Sequence, residues 1–146
     1  FPDLPGSMLG FAAETSLHAV RLMLSGVFDQ YPNLKIILGH LGEAIPFWMW
    51  RIDNRLRRIS DPGRVKHLPS YYFRKNFAVT TSGMYWNPAF NFTYQVLGAD
   101  AIFFASDFPF ENHYVAAQFM DNAEISPADK EKIAHINTEK LFGLKP

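Results

Sequence analysis

No cysteine occurs among the 146 residues, so disulfides and thiolate metal sites are excluded, which fits a reducing compartment; a cytoplasmic location is expected. The chain has no excess of either charge. Fourteen Lys and Arg balance fourteen Asp and Glu, so no net field steers it toward nucleic acid or an anionic membrane, and neither is expected as a partner. The one basic stretch, Arg51 to Lys66, sets six Lys or Arg against Asp53 and Asp61, as a solvated helix face or a subunit contact would. Long apolar runs are also missing. The longest, Ala44 to Trp50, is far short of the roughly twenty residues of a membrane span.

Aromatic residues are plentiful at 16%, with fourteen Phe and three Trp, more than a small isolated core needs. A pocket or a large interface is implied, and a homo-oligomer is expected. The 48% hydrophobic content fits one globular domain over 1–146. The chain opens without Met, inside the Pro/Gly-rich "FPDLPGSMLG", and reads as a fragment of a longer protein.

Leu17, Val20, Leu24 and Val27/Phe28 recur at helical spacing and predict an amphipathic helix over 14–29. A short branched apolar run predicts a buried strand over 34–39. Gly42-Glu43 opens a second helix, with Pro46 in its first turn, running to about Ile59. "SDPGRV" breaks the chain, a Tyr-rich connector follows, and "FAVTT" is a strand over 77–81. Asn87-Pro88 opens a helix, "AIFFAS" is a strand over 101–106, and helices follow near 112–121 and 127–142. This alternation predicts an α/β fold with parallel strands, about three β/α units from the C-terminal part of a (β/α)8 TIM-type barrel, whose full form takes roughly 250 residues.

In such folds the loops after strand C-termini share the face on which sites are built. Here they read GHLGE, TTSG and SDFPFE, presenting His40, then Thr80, Thr81 and Ser82, then Asp107. First and third strands would lie about 10 Å apart, so His40 and Asp107 can converge on one small molecule. They could donate and accept a proton, or Asp107 could ligate a divalent metal. A turn cap and a helix cap are the plainer readings of the same two residues.

The stretches "ETSLHAVRLMLSGVFDQYPNLKIILGHLGEAIPFWMWRID", "TTSG" and "GADAIFFASDFPFEN", closing with "NTEKLFGL", resemble the C-terminal part of the metal-dependent decarboxylases of the amidohydrolase superfamily. Its members act on γ-resorcylate, 2,3-dihydroxybenzoate and 5-carboxyvanillate. The resemblance implies one divalent metal, Zn or Mn, that chelates a substrate's carboxylate and ortho hydroxyl. It implies Asp107 as a metal ligand and proton donor to the ring carbon, and His40 as a group beside the metal. Similar enzymes take further ligands from segments absent here, so this fragment is expected to be inactive alone.

Arg51 is the candidate carboxylate clamp, since a guanidinium offers a bidentate fork and related decarboxylases have an arginine there. Phe108 and Phe110 could wall a benzoate ring, and Phe11 could reach the pocket. Glu43 orients His40 or caps a helix. Glu14 and His18, at i and i+4, read as a helix-start acid and a surface imidazole, and Glu111-Asn112-His113 as a decoy for a Glu-x-His ligand pair. Phe47, Trp48 and Trp50 are expected between helices or subunits, while His67 and His135 receive no role. Two rival classes stay open: a hydrolase in which Asp107 activates metal-bound water, and a non-catalytic interaction module.

Overall fold

The computed structural model describes residues 1–59 and 65–144. Its regular elements run α1 (Gly10–Leu24), α2 (Val27–Gln30), β1 (Ile36–Leu38), α3 (Ile45–Leu56), α4 (Pro69–Asn76), β2 (Phe77–Thr80), α5 (Asn87–Leu97), β3 (Ile102–Phe103), α6 (His113–Asp121), α7 (Pro127–Glu131) and α8 (Asn137–Phe142). The strands form one sheet in the order β1-β2-β3, and β2 pairs parallel to β3 with Val79 opposite Ile102 and Thr80 opposite Phe103. The expected α/β alternation is present. Two compact units emerge, one of Phe1–Ile36 with Glu43–Phe77, the other of Ile37–Gly42 with Ala78–Pro146.

In the first unit α1 starts at Gly10, before the expected 14, and stops at Leu24, because Gly26 turns left-handed (φ 83°) and α2 follows separately. The buried face differs too. Leu17, Val20 and Leu24 line an open groove of about 520 Å3 opposite Trp48, Ile52 and Leu56 of α3, whereas Ser16, Ala19 and Met23 are buried. Small side chains allow close packing on that face, and the Ser16 hydroxyl donates to the Glu43 carbonyl at 2.6 Å. The Tyr-rich connector is the helix α4, opened by Pro69 at a position where its missing N–H costs nothing. It buries Tyr72 and Phe73, and Phe28 packs edge-on to Phe77 at 5.3 Å. Asn76 donates from Nδ2 to the carbonyls of Pro32 and Leu34, holding the loop before β1. Apart from Val65, the expected "SDPGRV" break falls outside the described residues. Trp48 joins the groove between the helices, while Phe47 and Trp50 are exposed.

In the second unit the strands are shorter than expected, Leu38 ending the first and only Ile102 and Phe103 forming the third. Val79, Ile102, Phe90, Ala116 and Ile133 are fully buried, and this close-packed centre backs the sheet. The last helix runs from the Ser126 cap through a π turn at Lys132–Ile136 into α8. That turn frees the Ile133 carbonyl to accept from Phe104 N–H at 2.9 Å, while Asn137 donates to Ala99 and Ile102 carbonyls, both at 2.8 Å. No helix among the described residues is long and apolar enough to cross a membrane.

Candidate active site

Every non-glycine residue with positive φ among the described residues follows the end of β1 or β3. After β1, His40, Leu41, Gly42, Glu43 and Ala44 all have positive φ, between 50° and 77°. Each L residue in that conformation costs roughly 1–2 kcal/mol, so the surroundings must hold it. Burial of Leu41 and a Gly42 N–H bond to the Gly39 carbonyl at 2.8 Å contribute. This left-handed run delays α3 until Ile45, later than the expected Gly42-Glu43 start. Glu43 consequently lies ahead of the Ala44 N-cap, outside the first turn, and no side chain caps α3; the helix-capping alternative for Glu43 is corrected.

At the end of β2 three consecutive hydroxyls are used. Thr80 and Ser82 share a hydrogen bond of 2.8 Å, and Ser82 Oγ accepts from the His40 amide at 3.4 Å. The Thr81 hydroxyl, fully buried, donates to the Ala105 carbonyl at 3.0 Å and accepts from the Ala105 amide at 3.1 Å. It replaces the backbone partner that β2 no longer supplies once the chain turns away. Gly83 then makes the turn at φ 62°, and a Cβ there would stand 2.7 Å from His40 Cδ2 and 3.2 Å from Asp107 Oδ2. Only a bare Cα fits beside both groups.

At the end of β3 Asp107 is itself left-handed, φ 58°, and its carbonyl accepts from the amides of Phe110 and Glu111 at 2.9 and 3.1 Å. The Phe108–Pro109 peptide is cis. Asp107 Oδ2 lies 3.5 Å from His40 Nε2, with side chains 31% and 39% exposed. That separation is an ion-pair contact when the imidazole is protonated, and longer than a good hydrogen bond. Both groups remain open to a third molecule, the condition for moving a proton to or from it.

The remaining expected residues divide between the two units. Phe108 and Phe110 follow Asp107 in sequence and are 68% and 87% exposed, with the Phe108 ring edge-on to His113 at 5.6 Å. Arg51, Glu43 and Phe11 belong to the first unit, where Arg51 lines the groove between α1 and α3 and Phe11 is exposed. Glu14 and His18 form an exposed i, i+4 pair at 3.6 Å, as the plainer reading has it. Asn112 caps α6 by accepting from the Tyr114 amide at 2.9 Å, leaving Glu111 ahead of the helix and His113 inside it. His135, assigned no role, sits between Glu139 at 2.7 Å and Glu131 at 2.8 Å, a pairing its i±4 spacing already contained. Gly83 and Thr81 are the site residues whose roles the sequence did not disclose.

Asp107 and His40 supply an oxygen and a nitrogen donor, suited to a borderline divalent ion. The described residues hold no cluster of three His, Cys, Asp or Glu able to bind a metal, whereas a catalytic zinc site takes three protein ligands. The donor chemistry fits; the number does not close a shell.

Residues 3–144 match the family model described as Amidohydrolase. The γ-resorcylate decarboxylase of Rhizobium sp. (strain MTP-10005) is 43% identical over 145 residues, 98% of this chain and 44% of that relative. Among solved structures, the dihydroxybenzoic acid decarboxylase of Polaromonas sp. JS666, with bound manganese and the inhibitor 2-nitroresorcinol, has a TM-score of 0.90 and 46% identity, covering 95% of this chain and 42% of that one. The 5-carboxyvanillate decarboxylase of Sphingomonas paucimobilis has a TM-score of 0.90 and 40% identity, covering 96% and 43%. The chain spans less than half the length of these relatives.

Proposed function

The chain belongs to the amidohydrolase family, and on that premise we propose that the protein carrying it removes carbon dioxide from a hydroxylated aromatic carboxylic acid without redox chemistry. The observation that supports this is the contact of His40 Nε2 with Asp107 Oδ2 at 3.5 Å, half-open beside the bare Cα of Gly83. In this reading Asp107 is one ligand of a divalent metal, Zn or Mn, and the other ligands come from outside these 146 residues. Once bound, such an ion supplies the positive charge that gathers the substrate's carboxylate and ortho hydroxyl.

Loss of carbon dioxide from an aromatic ring requires a proton at the carbon that carries the carboxylate. Asp107 Oδ2 delivers it, and His40 Nε2 replenishes that oxygen. The carbon–carbon bond then breaks, its electron pair returns to the ring, and carbon dioxide leaves with no net change of oxidation state. Arg51 would clamp a carboxylate, Phe108, Phe110 and Phe11 would line the ring's path, and Glu43 would support His40. The exposed Phe47 and Trp50 of α3 fit an assembly of several chains.

The test is metal content and carbon dioxide release from 2,6-dihydroxybenzoate and related acids by the whole enzyme carrying this segment. Asp107→Asn is expected to lose both, turnover falling by at least about 100-fold, while His40→Asn keeps more metal than turnover. Equal turnover of wild type and Asp107→Asn at matched metal occupancy would refute the assignment. The 146 residues alone are expected to hold no metal tightly and to release no carbon dioxide. One metal per chain with turnover would show that the ligand set is complete here.

A further inference from the structure

The backbone leading to Asp107 is tied residue by residue. The Phe103 carbonyl accepts from Thr81 N–H at 3.0 Å, Phe104 N–H donates to Ile133, and Ala105 is held at both N–H and C=O by the Thr81 hydroxyl. The Ser106 carbonyl accepts from the Tyr85 hydroxyl at 2.7 Å, a bond that no sheet pairing requires. Tyr85 follows Gly83 by two residues, directly after the turn that the Met84 N–H closes on the Thr81 carbonyl at 3.1 Å. The hydroxyl therefore joins the segment leaving the Gly83 turn to the carbonyl directly before Asp107.

Gly83 is the residue against which the His40 ring rests, and Asp107 follows Ser106 directly. The ring of Tyr85 is fixed by Phe119, with centroids 5.8 Å apart, and Phe119 packs edge-on to the buried Phe90 at 5.5 Å. A rigid arm thus presents the hydroxyl between two turns whose residues are otherwise unrelated in sequence. Burial pushes the phenol above its ordinary value, the nearby carboxylates of Glu111 and Asp107 add to this, and the Gly83 N–H opposes it. Tyr85 therefore keeps its proton, and the bond to Ser106, across the neutral range.

We propose that the Tyr85 hydroxyl is a positioning group of the active site: it ties the Ser82–Gly83 turn to the Ser106–Asp107 turn and so sets the separation of His40 Nε2 and Asp107 Oδ2. The proposal rests on reading that pair as the groups that move the proton. Tyr85 touches neither substrate nor proton; it acts through the two turns. A misplacement of order 1 Å between reacting groups costs about 100-fold in rate, so the effect of losing the tie is large relative to one hydrogen bond.

The experiment compares Tyr85→Phe, which keeps the ring and removes the oxygen, with Phe119→Leu, which loosens the ring and keeps the hydroxyl, both in the whole metal-loaded enzyme. Tyr85→Phe is expected to lower kcat by roughly 10- to 100-fold with KM little changed, and to raise the solvent deuterium isotope effect on kcat, because the proton is delivered from a misplaced donor. Replacing Tyr85 by p-aminophenylalanine, which restores a donor at the same ring position, is expected to recover most of kcat. Wild-type kcat and isotope effect in Tyr85→Phe overturn the proposal. So does the same loss and the same isotope effect in Phe119→Leu, which would trace the role to packing. If Asp107→Asn leaves turnover intact, the reading of the pair fails instead. If it abolishes turnover while Tyr85→Phe does not, the positioning role alone falls.

Discussion

Tyr72 in the first unit and Tyr85 in the second each place a hydroxyl where separate chain segments meet. Tyr72 donates to Asp29 at 2.8 Å and accepts from the amides of Lys66 and His67, both at 3.0 Å, while Lys66 N–H also donates to Asp29 at 3.0 Å. Every partner there is a closing contact. Desolvation opposes ionisation of Asp29, but the Lys66 amide and the Tyr72 hydroxyl outweigh it and hold the carboxyl below its usual range. No positive φ occurs at the described non-glycine residues around that knot. Around Tyr85 the same kind of bond ends on the Ser106 carbonyl, directly before the left-handed Asp107, and the side chains of His40 and Asp107 stay part exposed. Under the proposed function, the closed network around Tyr72 stabilises the fold, and the open one around Tyr85, with strained backbone beside it, serves the chemistry.

Three substitutions would break or sharpen this contrast. Gly83→Ala should have the largest effect: a methyl cannot occupy the space 2.7 Å from His40 Cδ2, and φ 62° disfavours it by a further 1–2 kcal/mol or about that. Turnover is expected to fall about 100-fold as the imidazole is displaced, and steady-state assay of the whole enzyme checks it. Unchanged turnover would mean that the observed approach of His40 and Asp107 is unimportant. Tyr72→Phe should destabilise by about 0.5–1.5 kcal/mol, the net worth of an intramolecular hydrogen bond, since it removes the hydroxyl shared by Asp29, Lys66 and His67, yet preserve kcat per folded molecule. Urea unfolding alongside an active-site titration would separate the two, and a matching loss of kcat would erase the distinction between the tyrosines.

The smallest effect belongs to His135. Glu131 and then Glu139 raise its value above that of a free imidazole, so in the folded chain it stays protonated to higher pH. Its contribution to stability is fully present below the unfolded value near 6.5 and is lost as pH rises through the raised folded one. His135→Gln should lower the melting temperature slightly at pH 6 and not at pH 9. Equal shifts at both pH values would exclude the charge as the cause.

His40 and Asp107 were legible because each follows an apolar run and precedes helix-starting chemistry, and parallel α/β units deliver such residues to one end. The helix openings at Asn87 and Pro127 were legible for a similar reason, being carried by local capping and proline rules. The buried side of α1 was not. Its strongest apolar stripe lines a groove, and the core takes Ser16, Ala19 and Met23, because packing distance outweighed hydrophobicity. Helix α4 hid among aromatic residues whose intrinsic preference is weak, and its burial of Tyr72 and Phe73 decided it.

By itself the sequence determined the αβ alternation, the lack of cysteine chemistry and of a membrane-spanning helix, and the identity of the residues at the strand ends, since these depend on composition and on periodicities of two and 3.6 residues. The tertiary structure decided which atoms meet. The 3.5 Å approach of His40 to Asp107, the need for glycine at 83 and the bridging hydroxyl of Tyr85 arise between segments more than twenty residues apart or at turns of left-handed backbone. Local propensity disfavours those turns, and only the packing and hydrogen bonds around them hold them in place.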